Sequence, residues 1–217
     1  MYIVISHPRC GSTFLHEYVN EYNLNLGARG ITTSAEFFNS RWDTFEPIDY
    51  LFSDIDDKMR FLEKERNRGQ EYSVKVQAYQ VEKIRPWFDE FYKNWDRLIL
   101  LKKDKWRAFL SYQIQSYLRW EGRTTHNRER EMISKLKPFF VEKEKVQVWL
   151  WQYNLLNSHT GIRLYHEDLN HDLLCNLFDI DIEERFTRYE LDYEPYIINL
   201  DEIKKEFHRQ ESSSYLR

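Results

Sequence analysis

The stretch Tyr2-Ile3-Val4-Ile5-Ser6-His7-Pro8-Arg9-Cys10-Gly11-Ser12-Thr13-Phe14-Leu15 changes character twice within a few residues. Tyr2 to Ser6 is a short apolar, β-branched run of the kind that forms a strand buried in a parallel sheet. Pro8 and Gly11 end that run, because proline lacks an N–H for a ladder and glycine permits a tight loop. Ser12 and Thr13 suit a helix start, and Phe14, Leu15, Tyr18 and Val19 follow at helical spacing. Strand, tight loop and helix form the opening unit. Such a unit turns unpaired backbone N–H groups and the positive end of a helix dipole toward its loop, which favours an anion there.

Working outward, three more runs read as strands: Tyr72 to Val76, Arg97 to Leu101 and Ile162 to Tyr165. Between and after them lie segments with helical patterning: Ile48 to Arg66, Phe88 to Trp95 with Pro86 near its start, Lys105 to Trp120 behind an Asp104 N-cap, and Val146 to Leu156. Glu121 to Lys135 is strongly polar and reads equally as a loop or an exposed helix. The alternation predicts an α/β fold with a central, mostly parallel sheet of four to five strands flanked by helices. The aromatic stretches Trp106 to Trp120 and Trp149 to Tyr153 fit core packing better than an acceptor-stacking surface, because their aromatic residues recur at helical spacing.

The chain has 217 residues, 41% of them hydrophobic and 17% aromatic, enough apolar material for one core. No repeat or linker marks a boundary, so residues 1–217 are read as a single domain. A net charge of -4 argues against a broad nucleic-acid-binding face and confines any phosphate site to a local cationic pocket. Cys10 and Cys175 stand far apart and outside any metal-ligand spacing, which suggests neither a disulfide framework nor a zinc site. A reducing, cytoplasmic location fits. The first apolar run is too short for a signal peptide or membrane span, so no membrane segment is expected.

Two phosphate loops are disfavoured by their spacing. A Walker A loop needs a second glycine in register and a lysine before the Ser-Thr pair, and both are missing. A cysteine phosphatase needs an arginine six positions after Cys10, where His16 stands, so Cys10 is read as a small packing residue. An ordinary strand-to-helix turn with an exposed arginine remains the alternative reading.

Pro8-Arg9-Cys10-Gly11-Ser12-Thr13-Phe14-Leu15 resembles the 5′-phosphosulfate loop of sulfotransferases, enzymes that use 3′-phosphoadenosine 5′-phosphosulfate as sulfuryl donor. The resemblance implies a P-loop-like three-layer fold and donor contacts from Arg9, Cys10, Gly11, Ser12, Thr13 and Phe14. A second segment, Arg97 to Ser111, is similar to the family's 3′-phosphate element, with Lys103 where arginine is usual and Ser111 eight positions later. Lysine neutralises phosphate but gives up the two-pronged hydrogen bond of guanidinium, so weaker donor binding is expected unless Lys102 or Arg107 compensates. A third segment, Tyr165-His166-Glu167-Asp168-Leu169, resembles the Tyr-Glu-Asp-Leu turn of bacterial and glycan members, with His166 as an extra residue. The likeness thus spans residues 2 to about 170.

In-line sulfuryl transfer requires a placed acceptor oxygen, a base for its proton and a cation for the leaving phosphate. Arg9 is the expected cation. The strand that carries a catalytic histidine in cytosolic aryl and steroid members reads Lys75-Val76-Gln77 here, and glutamine cannot take a proton. The segment from Leu26 to Asn39 resembles the trehalose sulfotransferase branch, whose Glu-Phe-Phe glutamate serves as base, which implies Glu36 as the base. His7 and His16 are reserve candidates. The family's C-terminal Arg-Lys-Gly closing loop has no match between Asp201 and Arg217, which lacks glycine; Arg209, or Lys204 and Lys205, are the candidates to serve in its place. The acceptor is expected to be a hydroxyl of a carbohydrate or small molecule, and no metal is expected. The alternatives are a P-loop-like nucleotide or phosphoryl-transfer enzyme and a non-catalytic nucleotide-binding protein.

Overall fold

Ile3, Val4 and Ile5 are fully shielded from solvent, as are Leu98, Ile99 and Leu100. Runs of branched apolar residues buried on both faces are what the central strands of a parallel sheet require. The computed structural model describes residues 2–12, 15, 60, 63–64, 67, 74–120, 129–179 and 191–214. Within them, β1 (Tyr2–Ser6), β2 (Val74–Gln77), β3 (Asp96–Leu101) and β4 (Ile162–Tyr165) form one all-parallel sheet in the order β2-β1-β3-β4. The chain is therefore α/β, with four parallel strands among the described residues.

Register aligns the carboxyl ends: Ser6 lies beside Gln77 on one side and Leu100 on the other, and Leu101 lies beside Tyr165. Strand order runs outward from β1 to β2, then reverses to β3 and β4, so the reversal falls between β1 and β3. In open α/β sheets, ligands bind outside the carboxyl ends of the strands at such a reversal. β4 is an edge strand of the described sheet, with only Leu164 buried and Ile162, Arg163 and Tyr165 exposed. The charge of Arg163 suits an edge that must not recruit further strands. At the amino edge, Gly161 brings β4 against β3: its φ is 153°, and a Cβ there would lie 2.7 Å from the Arg97 Cβ and closer still to the Arg97 carbonyl oxygen.

The strands predicted at Tyr2 to Ser6 and Ile162 to Tyr165 coincide with β1 and β4. The helix predicted over Phe88 to Trp95 is displaced. α1 (Ala78–Val81) and a 3-10 turn at Glu82–Ile84 lead into α2 (Arg85–Phe91), which begins earlier because Pro86 sits in its first turn, where no N–H is needed. It ends earlier because the Tyr92 N–H bonds back to Phe88 and the Trp95 N–H to Tyr92, turning the chain into β3. Ile48 to Arg66 lies almost wholly outside the described residues, although Arg60, Glu63 and Lys64 are helical.

α3 (Lys105–Trp120) has its predicted cap: Asp104 Oδ1 accepts the Arg107 N–H at 2.8 Å. α4 (Glu129–Ser134) shows that the end of the ambiguous polar segment is helical. α5 (Glu144–Asn154) continues into a 3-10 turn at Leu155–Ser158, so the helical run predicted from Val146 to Leu156 starts earlier and tightens at its end. α6 (His171–Phe178) is capped by Asn170, whose side chain accepts the Leu173 N–H at 2.8 Å, and α7 (Leu200–Ser214) follows.

Two compact units emerge, each built from two chain segments: residues 1–101 with 155–186, and residues 102–154 with 187–217. The first holds the sheet. The second is organised around Phe109 of α3, Trp149 of α5 and Phe207 of α7, whose ring centroids are 5.5 to 6.0 Å apart. All three rings are at most 1% exposed, so the aromatic spacing read on α3 and α5 marks core, although Trp151 is exposed. Truncating any of the three to alanine costs about 3–5 kcal/mol in a packed core. Asn199 fastens α7 by accepting the Val141 N–H at 3.0 Å and donating to the Val141 carbonyl at 2.9 Å.

Candidate active site

In the sheet unit, β1 delivers Ser6 to the carboxyl edge, and the chain turns at once through residues 7–11. His7 is 1% exposed and donates from Nδ1 to the Pro8 carbonyl at 3.1 Å, so this reserve base is packed into the turn. The Cys10 N–H bonds to the His7 carbonyl at 3.3 Å, and the Leu15 N–H bonds to the Gly11 carbonyl at 3.2 Å, which starts a helix where the sequence predicts one. Arg9 has φ 69° and Gly11 φ 83°. Left-handed backbone is free for glycine but costs other residues about 1–2 kcal/mol, and it is found where surrounding structure over-determines it, most often at binding sites. Alternation of left- and right-handed residues directs successive N–H groups to one concave side, a shape that accepts anions.

Cys10 is fully buried, as a packing residue should be, and Ser12 is 7% exposed. Ser6 Oγ is buried and has no hydrogen-bond partner among the described residues. Thr13, Phe14, His16 and Glu36 lie outside the described residues. At the end of β4, the ring of His166 packs onto Gly11: a Cβ on that glycine would lie 2.7 Å from His166 Nε2 and closer still to Cδ2. A side chain at position 11 would have to displace the His166 ring and would sit at a strained φ of 83°.

In the second unit, Lys103 is exposed and Ser111 is 4% exposed. Asp104, Arg107 and Ser111 are spaced to share one face of α3. Arg107 donates to the Leu191 carbonyl at 3.1 Å, so its guanidinium is anchored to a neighbouring segment of the same unit. A cavity of about 400 Å³ opens there between Asp104, Trp106 and Arg107 of the α3 start and residues 191–194. Two of the C-terminal cations are engaged: Arg209 pairs with Glu206 at 2.6 Å, and Lys204 reaches Glu194 at 3.4 Å. Hydrogen bonds from Arg209 and Gln210 hold the Glu206 carboxyl down at about 2.

The chain matches no family model, no curated protein and no solved structure.

Among the described residues, no cluster of three or more potential metal ligands occurs, and no helix is long and apolar enough to cross a membrane. At the amino edge of the sheet lies a polar cluster that no sequence motif marks. Arg85 Nη2 donates to Glu82 at 2.6 Å, to Ser158 Oγ at 2.7 Å and to His159 Nε2 at 3.1 Å. Guanidinium can only donate, so His159 Nε2 is the acceptor and the ring is neutral. Burial, reinforced by the Arg85 charge, pushes this imidazole down to about 4. No local periodicity reveals such a pair, because its members stand on different elements.

Proposed function

We propose that the chain is a sulfotransferase of P-loop-like, three-layer type that moves a sulfuryl group from 3′-phosphoadenosine 5′-phosphosulfate to a hydroxyl of a carbohydrate or small molecule. The observation that carries this reading is the residue 7–11 turn. It leaves the carboxyl end of β1 beside the sheet reversal and has left-handed backbone at Arg9 and Gly11. That is where an anionic ligand belongs in an open parallel sheet, and it is the segment that resembles the 5′-phosphosulfate loop.

In this reading, the turn amides and Ser12, with Thr13 and Phe14, hold the phosphosulfate, and Arg9 neutralises the charge that grows on the departing phosphate. Lys103 and Ser111 hold the 3′-phosphate, with the ammonium as a point charge and the hydroxyl as a donor. Glu36 takes the acceptor proton as the new oxygen–sulfur bond forms and the sulfur–oxygen bond to phosphate breaks. Every charge is then balanced: the electron pair leaves on 3′-phosphoadenosine 5′-phosphate and the proton on the glutamate.

The test is to incubate the protein with the donor and a panel of sugars, glycolipids and phenols, following nucleotide product and acceptor mass together. Equal amounts of 3′-phosphoadenosine 5′-phosphate and a sulfated acceptor are expected. Phosphorylated acceptor from ATP, with none from the phosphosulfate, contradicts the proposal in favour of phosphoryl transfer.

A further inference from the structure

Arg85 of α2 reaches across to the 3-10 turn at Leu155–Ser158 and to the residues that lead from it into β4. Its guanidinium donates to the Ser158 carbonyl at 3.3 Å, to Ser158 Oγ at 2.7 Å and to His159 Nε2 at 3.1 Å. His159 is 3% exposed, and its own N–H bonds to the Leu156 carbonyl at 3.3 Å. Three guanidinium groups face the ring, Arg85 of α2, Arg97 of β3 and Arg163 of β4, and Asp89 of α2 is the carboxylate that faces it. Glu82 pairs with Arg85 at 2.6 Å and Asp89 with Arg97 at 2.7 Å, so both carboxylates are already engaged. α1, which packs against the same turn, adds no charged side chain. A neutral imidazole loses its only acceptor when it takes a proton, unlike a carboxylic acid or an amide. In this cluster the added proton sets two donors face to face and brings a further cation beside three others in a shielded site.

We infer that the Arg85–His159 hydrogen bond is an acid-sensitive latch: protonation of His159 releases residues 155–161 from α2 while β1 and β3 stay folded. The buried ring takes its proton only near pH 4, whereas a ring freed to solvent does so near 6.5. Release is therefore coupled to proton uptake, and its equilibrium constant rises roughly 50-fold between about pH 7 and 4.5. The segment held by the latch feeds an edge strand with only Leu164 buried, a weakly anchored margin of the described sheet. Ile3 to Ile5 and Leu98 to Leu100 are buried at its centre and do not depend on the latch. The latch stands at the amino edge, so it is independent of the nucleotide reading of the carboxyl-edge turn.

Amide hydrogen exchange, read by mass spectrometry at about pH 7 and 4.5 and corrected for intrinsic rates, compares wild type with His159→Gln and Arg85→Met. In wild type, peptides covering residues 155–161 are expected to lose protection roughly 50-fold on acidification, while those of β1 and β3 keep theirs. His159→Gln retains an acceptor that takes no proton, so the same peptides should be equally protected at both pH values. Arg85→Met cuts the latch without a proton and should loosen these peptides already at neutral pH. Protection that does not change with pH in wild type, an equal acid response in His159→Gln, or simultaneous loss in β1 and β3 overturns the latch. Should circular dichroism show that His159→Gln does not fold, full protection of residues 155–161 in Arg85→Met at neutral pH overturns it instead.

Discussion

His166 occupies the space that any side chain at Gly11 would need, with Nε2 2.7 Å from the Cβ position and Cδ2 closer still. Gly11→Ala therefore meets two penalties, a clash with a ring and a φ of 83° that alanine resists. The backbone part alone costs about 1–3 kcal/mol. In urea unfolding, Gly11→Ala should lower the midpoint, and adding His166→Ala should return the contact part of the loss but not the backbone part. A Gly11→Ala protein as stable as wild type contradicts the packing described.

His159 gives the protein a pH dependence with a defined sign. Its folded-state pKa is about 4, below the ordinary value of 6.5, so the unfolded chain binds more protons between those limits. The stability it contributes is complete above about pH 6.5 and declines as pH falls toward 4. A drop on the order of 2–3 kcal/mol is expected across that window. His159→Gln, which retains an acceptor for Arg85, should flatten the curve measured by chemical denaturation between about pH 6.5 and 4.5. An unchanged slope in the variant contradicts a buried neutral imidazole.

Arg9 and Lys103 are assigned different tasks, and kinetics should separate them. Arg9→Ala is expected to lower kcat at least about 100-fold, as removal of a transition-state charge partner does. Lys103→Ala should chiefly raise the donor KM, by roughly 10-fold. Lys103→Arg should lower that KM, because guanidinium adds a planar, two-pronged contact to phosphate. Equal donor binding in Arg9→Ala and Lys103→Ala contradicts this division.

Glu36→Gln should keep nucleotide affinity and lose turnover by about 100-fold or more, since glutamine accepts no proton at neutral pH. Unchanged turnover, read by nucleotide product release, places the base on another residue.

Much of the fold was legible because the signals were local. β1 could be read from Ile3, Val4 and Ile5 ahead of Pro8, and the start of α3 from Asp104, whose side chain caps it at 2.8 Å. The helix before β3 shifted because Pro86 marks a first turn rather than a position ahead of one, and the Tyr92–Trp95 turn ends it. The strand-to-helix turn after β1 was legible from Pro8, Gly11 and the residues that follow. The approach of His166 to Gly11 was not, because residues so far apart in sequence leave no periodic trace. Arg85 and His159 escaped for the same reason: in sequence, His159 is one histidine near a helix end, and only the fold supplies the guanidinium that fixes its neutral form.

The decisive measurement is the melting temperature of the protein with saturating 3′-phosphoadenosine 5′-phosphate set beside that with ATP. A ligand at about 100 times its Kd adds about 2.7 kcal/mol, which for a chain of this size is roughly 5–10 °C. The bisphosphate is predicted to give a shift of that size and ATP a much smaller one, because only the former presents both a 5′- and a 3′-phosphate. Equal shifts, or a larger one with ATP, contradict the sulfotransferase reading.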